Sequence, residues 1–291
     1  MRRHSRKTLS EIVSMQKLGT VYNSYHIVGD IAIIRLPKAS KKRGQNVAKA
    51  VMSVHKNVRT VLAQTGAVRG NLRLRKLEYL AGENETVTLH RESGCLFSVD
   101  VEKCYFSPRL SHERMRVARQ VGEGEVVVNM FAGVGCFSIL IAKYSGAEKV
   151  YSIDVNPVVF QYMQKNIRMN RVFGKVIPVL GDAREIVEKR LCHSADRVLM
   201  PLPEKAFEYL PYALLALKKR GGWIHYYDFE HARKDENAAE KVRMRVSEKL
   251  QHLGMTLDIS SSRVVRATGP NWYQAVLDIA TVPGQSTRGK S

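Results

Sequence analysis

The 291-residue chain carries only four cysteines, Cys95, Cys104, Cys136 and Cys192, and no two form a Cys-x-x-Cys pair. That scatter argues against a zinc site and a disulfide framework, and it suits a reducing cytosol. No metal is therefore expected, and a cytoplasmic location is. No apolar run reaches the ~20 residues of a membrane-spanning helix. The basic start, Met1-Arg2-Arg3-His4-Ser5-Arg6-Lys7, lacks the apolar stretch of a signal peptide behind it. Acidic residues are also few: 27 Asp and Glu face 47 Lys and Arg, a formal charge of +20. Such an excess favours a polyanionic partner, most commonly nucleic acid. A membrane surface fits less well, because no basic amphipathic anchor stands out. Hydrophobic residues make up 44% of the chain, enough for the core of one large or two modest domains.

A third glycine is missing where a dinucleotide-binding fingerprint would need it. Gly133-Val134-Gly135 is followed by Cys136-Phe137-Ser138. What surrounds the pair is informative. Val126-Val127-Val128 reads as a buried strand, and an apolar helical run starts at Phe137. Between them, the glycines of Phe131-Ala132-Gly133-Val134-Gly135 let the backbone approach a ligand and aim the helix N-terminus at it. The next strand ends on Asp154, placed to accept hydrogen bonds from ribose hydroxyls. A two-glycine loop after Phe-Ala, with an acid about 20 residues on, is the pattern of S-adenosylmethionine-dependent methyltransferases. Asp182, in Gly181-Asp182-Ala183 after the third strand, is placed to hold an adenine amino group, although Gly-Asp is also a common turn pair. Pro201-Leu202-Pro203 follows the fourth strand; its prolines stiffen the backbone and leave carbonyl acceptors with few donors. Taken alone, that segment reads equally well as a stiff loop.

In chain order, residues 1–20 read as a basic N-terminal arm and 21–104 as a small α+β domain. That domain should hold strands at 25–28 and 31–36 around Gly29-Asp30, a helix at 41–57, a strand at 58–64, a basic-faced strand at 69–76, and a hairpin of 86–90 and 95–100 closed by 91–94. Pro108 biases Ser107 away from helix, and Ser111 is expected to cap a helix beginning at His112-Glu113. Residues 105–283 alternate strands (126–130, 149–153, 175–180, 196–200, 222–227) with helices (137–144, 157–170, 184–190, 205–219, 235–252) and end in an antiparallel pair near 255–265 and 273–281. This is a doubly wound, mostly parallel α/β sheet, a Rossmann-like class I methyltransferase domain. Residues 284–291 read as a polar tail.

Several stretches together resemble the archaeal and eukaryotic-type tRNA (guanine37-N1)-methyltransferase family. They are Tyr25-His26-Ile27-Val28-Gly29-Asp30-Ile31-Ala32, His90-Arg91-Glu92-Ser93-Gly94-Cys95, Tyr105-Phe106-Ser107-Pro108-Arg109-Leu110-Ser111-His112-Glu113-Arg114, the loop from Asn129 to Gly135, Asp196-Arg197-Val198-Leu199-Met200-Pro201-Leu202-Pro203 and His225-Tyr226-Tyr227. The resemblance spans roughly residues 20–281. It implies methyl transfer from S-adenosylmethionine to N1 of guanosine 37 in the tRNA anticodon loop; separately, a monomer is expected. By position it implies Glu113 as general base, Arg73 at guanine O6 and Tyr105 organising the pocket. Arg109, Phe131, Asp154 and Asp182 would hold the cofactor, with Gly133, Gly135, Ala183, Pro201 and Pro203 beside them.

The chemistry agrees. Guanine N1 carries a weakly acidic proton, so its methylation needs a base, and a carboxylate in a cleft serves if its pKa is raised. The charge left on O6 needs a cation such as arginine. Plainer roles also exist: Glu113 as a first-turn helix acid, and Arg73 as one phosphate-binding basic among Arg69 and Arg75. Two positions depart from the family pattern: Pro201 replaces a usual asparagine that helps hold the base, and Asn129 a usual aspartate. The chain also reads as a short form without the extra N-terminal domain of some relatives. Wyosine-pathway relatives vary the Pro201-Leu202-Pro203 loop. The runner-up is therefore methylation of C7 of the tricyclic wyosine precursor, alone or in addition, or aminocarboxypropyl transfer to it. A catalytically silent RNA-binding module is the alternative from another class, which Glu113, Asp154 and the glycine loop argue against.

Overall fold

The computed structural model describes residues 25–35, 41–66, 74–252 and 258–281. The chain divides into two compact units, Met1–Pro108 and Arg109–Ser291.

In the first unit, β1 (Tyr25–Val28) and β2 (Ile31–Arg35) pair antiparallel, with Val28 opposite Ile31, so Gly29-Asp30 makes a two-residue turn. Helix α1 (Lys41–Val54) leads to β3 (Thr60–Gln64), which runs parallel to β2, and β4 (Leu77–Gly82) closes the sheet antiparallel to β3. The core forms where Val47, Ala48 and Val51, one stripe of α1, meet Ala32, Ile34, Val61 and Leu80 of the sheet. Strands β5 (Val87–Glu92) and β6 (Cys95–Asp100) form a separate hairpin. Its turn is tighter than expected: Ser93 and Gly94 both sit at positive φ (46° and 70°) and keep Arg91 and Glu92 in the strand. Such turns match the twist of the strands they join. Residues 69–73 of the expected basic strand at 69–76 lie outside the described residues; 74–76 precede β4, which begins at Leu77. Arg75 turns inward instead of alternating outward, as described below.

A single 3-10 turn, Pro108–Leu110, begins on the last residue of the first unit and feeds directly into α2 (Ser111–Gln120) of the second. Ser111 is therefore the first helical residue, not the cap; Leu110 holds the cap position and no side chain bonds there. Next come β7 (Val126–Asn129), α3 (Cys136–Tyr144), β8 (Lys149–Asp154), α4 (Pro157–Met169), β9 (Val176–Leu180), α5 (Ala183–Ile186), β10 (Arg197–Met200) and α6 (Pro203–Ala216). They are followed by β11 (Gly222–His231), α7 (Ala238–His252), β12 (Asp258–Gly269) and β13 (Trp272–Thr281). The sheet order is β12-β13-β11-β10-β7-β8-β9; β13 runs antiparallel to both β11 and β12, and the other pairs are parallel. From β7 the chain winds outward through β8 and β9, then returns to β10 on the other side. The reversal between β7 and β10 is a switch point, where open α/β sheets form their ligand crevice. The helix expected at 184–190 is split into the short α5 and a π-helical turn, Val187–Leu191. Strand β11 runs four residues beyond the expected 227, because it pairs with β13 without a break from Gly222 to His231. Among the described residues, no helix is long and apolar enough to cross a membrane.

Candidate active site

Backbone hydrogen bonds draw the parallel strand ends into one row. Met130 N donates to Leu199 O (3.0 Å), Ala132 N to Ile153 O (2.8 Å) and Gly181 N to Asp154 O (3.0 Å). The glycine loop, Asp154, Asp182-Ala183 and Pro201 thereby share one edge of the sheet. Gly133 and Gly135 have φ of +57° and +92°, where L side chains are rarely found. A Cβ on Gly133 would point into open space. One on Gly135 would stand 3.2 Å from Ile139 Cδ1 and 3.3 Å from Met163 Cγ. Gly135→Ala is therefore expected to lower stability by about 1–3 kcal/mol through backbone strain, read as a fall in the thermal unfolding midpoint.

Asp154 is braced by the loop it faces. Its Oδ2 accepts from Gly133 N (2.8 Å) and its Oδ1 from Asn156 N (2.9 Å). Burial raises its pKa, against the lowering effect of N–H bonds from Asn156, Gly133 and Val155. Each carboxylate oxygen still has a lone pair to offer. Asn156 then caps α4 by accepting from Val158 N and Val159 N, with Pro157 at the first helical position. Val155, between the acid and the cap, is 55% exposed. Sequence reasoning passed over it; the available signal was an apolar residue at a position that neither burial nor capping requires.

Asp182 reaches the same edge but is already engaged. Arg184 N (2.8 Å) and its guanidinium bond the carboxylate, and the Tyr209 hydroxyl donates to both oxygens (3.1 and 2.9 Å). To accept from an adenine amino group, the carboxylate must share these partners or release one. Burial and the Asp182 contact push the Tyr209 phenol up to about 12, so it remains a donor. Tyr209 was not foreseen; it also meets the Phe131 ring edge-on at 5.0 Å. Asn129 is fully buried, donating to Ser138 Oγ (3.1 Å) and accepting from Phe131 N (3.4 Å). A neutral amide meets both partners without burying a charge. Pro203 starts α6, where its missing N–H is no loss, and Pro201 is half-buried. Arg109 is exposed.

In the first unit Arg73 lies outside the described residues. Arg75 is not the exposed phosphate-binding residue that its strand pattern suggested. It is buried, donates to Phe106 O (2.9 Å), meets His26 Nε2 (3.0 Å) and lies 5.5 Å above the ring of Tyr105.

Glu113 departs most from expectation. It does sit in the first turn of α2, but the carboxylate is buried rather than open in a cleft, with 3% of the residue exposed. Tyr227 Oη donates to Oε1 (2.6 Å), Arg116 Nη2 to Oε1 (2.8 Å) and Arg116 Nε to Oε2 (3.1 Å). The Arg263 guanidinium bonds Oε2 as well. A buried carboxylate is tolerable only with such charge-assisted partners. Tyr227 stood in a noted motif without a role, and Arg263 was not singled out.

Among the described residues, no cluster of three or more His, Cys, Asp or Glu is arranged to hold a metal ion. A family model described as the TRM5/TYW2 methyltransferase domain matches residues 88–257. The chain belongs to the TRM5/TYW2 methyltransferase family. A second model of the same family, the TYW2 N-terminal domain, matches residues 5–86. The tRNA (guanine(37)-N(1))-methyltransferase Trm5b of Pyrococcus abyssi is 43% identical over 88% of this chain and 74% of its own. A crystal structure of that Trm5b superposes with a TM-score of 0.78 at 40% identity, over 89% of this chain and 75% of the other. The tRNA 4-demethylwyosine(37)-methyltransferase Taw21 of Saccharolobus solfataricus is 36% identical over 94% of this chain and 98% of its own. A structure of Methanocaldococcus jannaschii TYW2 in complex with AdoMet matches at 29% identity and a TM-score of 0.66, over 88% of this chain and 98% of the other. As a TRM5/TYW2 enzyme, the chain is an S-adenosylmethionine-dependent methyltransferase. The chemistry of the strand-end row is compatible with that cofactor: a braced carboxylate with acceptor capacity left, open space at Gly133 and an uncovered valine.

Proposed function

We propose that this enzyme methylates N1 of guanosine 37 in tRNA. The observation that carries the reading is the buried Glu113 carboxylate, held by Tyr227 and two arginines in the same unit as the Asp154–Gly133 cradle. When bound, S-adenosylmethionine supplies an electrophilic methyl group on a sulfonium. Asp154 takes the ribose hydroxyls, Asp182 and Ala183 the adenine edge, and Arg109, Phe131, Gly133, Gly135, Pro201 and Pro203 enclose the rest. Glu113 accepts the N1 proton as N1 becomes nucleophilic, and Arg73 neutralises the charge that collects on O6, with Tyr105 organising the pocket. The +20 charge suits a tRNA partner. A cytoplasmic monomer completes the reading.

A second reading has its own support. Pro201 stands where an asparagine would help hold guanine, and Taw21, a relative of matching length, is named for acting on 4-demethylwyosine. On this reading C7 of the tricyclic base is the acceptor. The deciding test incubates labelled cofactor with tRNA bearing G37, and separately with tRNA bearing the wyosine precursor, followed by nucleoside mass spectrometry. The leading reading expects 1-methylguanosine from the first substrate. Label only on the second supports the wyosine reading, and its mass separates methyl from aminocarboxypropyl transfer. No label on either sinks both.

A further inference from the structure

Strand registers align His225 of β11 with Asp278 of β13, and Asp278 with Ser261 of β12, in one cross-strand row. Two residues on, Tyr227 and Arg263 form the next row on the same face, as a period of two requires. Both rows meet α2. Asp278 accepts from His225 Nδ1 (2.6 Å), Arg116 Nη1 (2.6 Å), Arg116 Nη2 (3.1 Å) and Ser261 Oγ (3.0 Å). Arg116 meanwhile bonds Glu113, so one guanidinium spans two carboxylates.

Behind Asp278, His225 Nε2 lies 2.8 Å from Arg197 Nη1, and Arg197 pairs with Glu125 (2.7 Å). Arginine can only donate, so His225 accepts at Nε2 and carries its proton on Nδ1, toward Asp278. That is the neutral imidazole, consistent with burial lowering its pKa despite the Asp278 contact. Burial pushes the Asp278 carboxyl up, but hydrogen bonds from His225 and Arg116 outweigh it and hold it well below the ordinary carboxylate range.

We infer that Asp278, oriented by His225, is a positioning residue for methyl transfer: it anchors Arg116 and thereby sets the orientation and the charge environment of Glu113. The inference rests on Glu113 being the base. Shared between two anions, the Arg116 charge is partly spent on Asp278. Given Glu113 alone, it would stabilise the carboxylate further and make it a poorer proton acceptor. With Arg116 gone, Asp278 would face Glu113 as a like charge and raise its affinity for the proton. Among the described residues, the other groups bonded to Glu113 are Tyr227 from β11 and Arg263 from β12; His225 and Arg197 stand behind Asp278, and the charge of Arg114 on α2 acts on Tyr227. Burial raises the Tyr227 phenol far above neutrality and lowers the His225 imidazole, so the phenol keeps its proton and the imidazole stays neutral at pH 7.

The test follows single-turnover methylation of tRNA against pH in the full chain. Asp278→Asn should move the acid limb down by about one unit and lower the plateau several-fold. Arg116→Gln should move the limb up. Cofactor affinity by calorimetry should stay within twofold for both. Residues that merely support the fold would lower the rate without opposite shifts, so limbs that stay put or move together overturn the inference. If one variant fails to fold, the direction of the other decides. Glu113→Gln separates the two levels: activity near wild type removes Glu113 as base, whereas an inactive Glu113→Gln with unmoved limbs removes the Asp278 role alone.

Discussion

Glu113→Gln is expected to lower the single-turnover methylation rate by about 10²- to 10⁴-fold, the usual contribution of a positioned base. The substitution keeps the shape of the side chain and removes its capacity to take the N1 proton. Tyr227 can still donate to the amide oxygen, and Arg116 keeps Asp278 and Gln120 as partners. What is lost is an acceptor for the guanidiniums on one side, which costs about 1–3 kcal/mol of folding free energy. The variant should therefore fold and bind S-adenosylmethionine with wild-type affinity. Calorimetry together with single-turnover kinetics checks both halves, and undiminished turnover would mean that another group takes the proton.

Asp154→Ala should weaken S-adenosylmethionine binding by about 10- to 100-fold, the equivalent of losing a charged hydrogen bond worth about 1.5–3 kcal/mol. Two effects add. The ribose loses its acceptor, and Gly133 N loses the carboxylate that fixes the loop. Stability should respond differently. Folding raises this carboxyl's pKa, so ionising Asp154 costs stability as pH climbs from the unfolded value to the raised one, and the cost is complete above it. Removing it should change the thermal midpoint by only a few degrees at pH 7 while affinity collapses, a pattern common at functional sites. The same shift sets a pH dependence. Ribose binding favours the ionised acid, so wild-type affinity should fall on acidification, starting above the ~3.9 of a solvated aspartate, and the alanine variant should lose that component. An affinity unchanged by the substitution would move the ribose elsewhere.

Much of the second unit was readable because its signals are local. Three valines, two glycines at a strand-to-helix turn and an acid at the next strand end each act within a few residues, and the βα alternation follows from period and turn chemistry. The strand ends and the glycine loop accordingly fall close to the expected positions. Errors were also local, and each has a cause: a 3-10 turn drew Ser111 into the helix, and Arg75 turned inward to Phe106.

The surroundings of Glu113 lay beyond such reasoning. Tyr227 and Arg263 are 114 and 150 positions away from it, and Asp278 is 162 from Arg116. Alternation could say that His225 and Tyr227 share a face, and a lone acid within Ala275-Val276-Leu277-Asp278-Ile279-Ala280 hinted at a buried partner. Neither could say which residues stand opposite. That depends on the register of three neighbouring strands, which whole-strand pairing sets, and on where α2 crosses them. Residue order alone thus determined the fold class, the glycine loop between strand and helix and the identity of the acid in α2. The tertiary structure alone decided that this acid is buried, cation-flanked and tied through one arginine to Asp278, because charges far apart in sequence become neighbours only when the sheet is assembled.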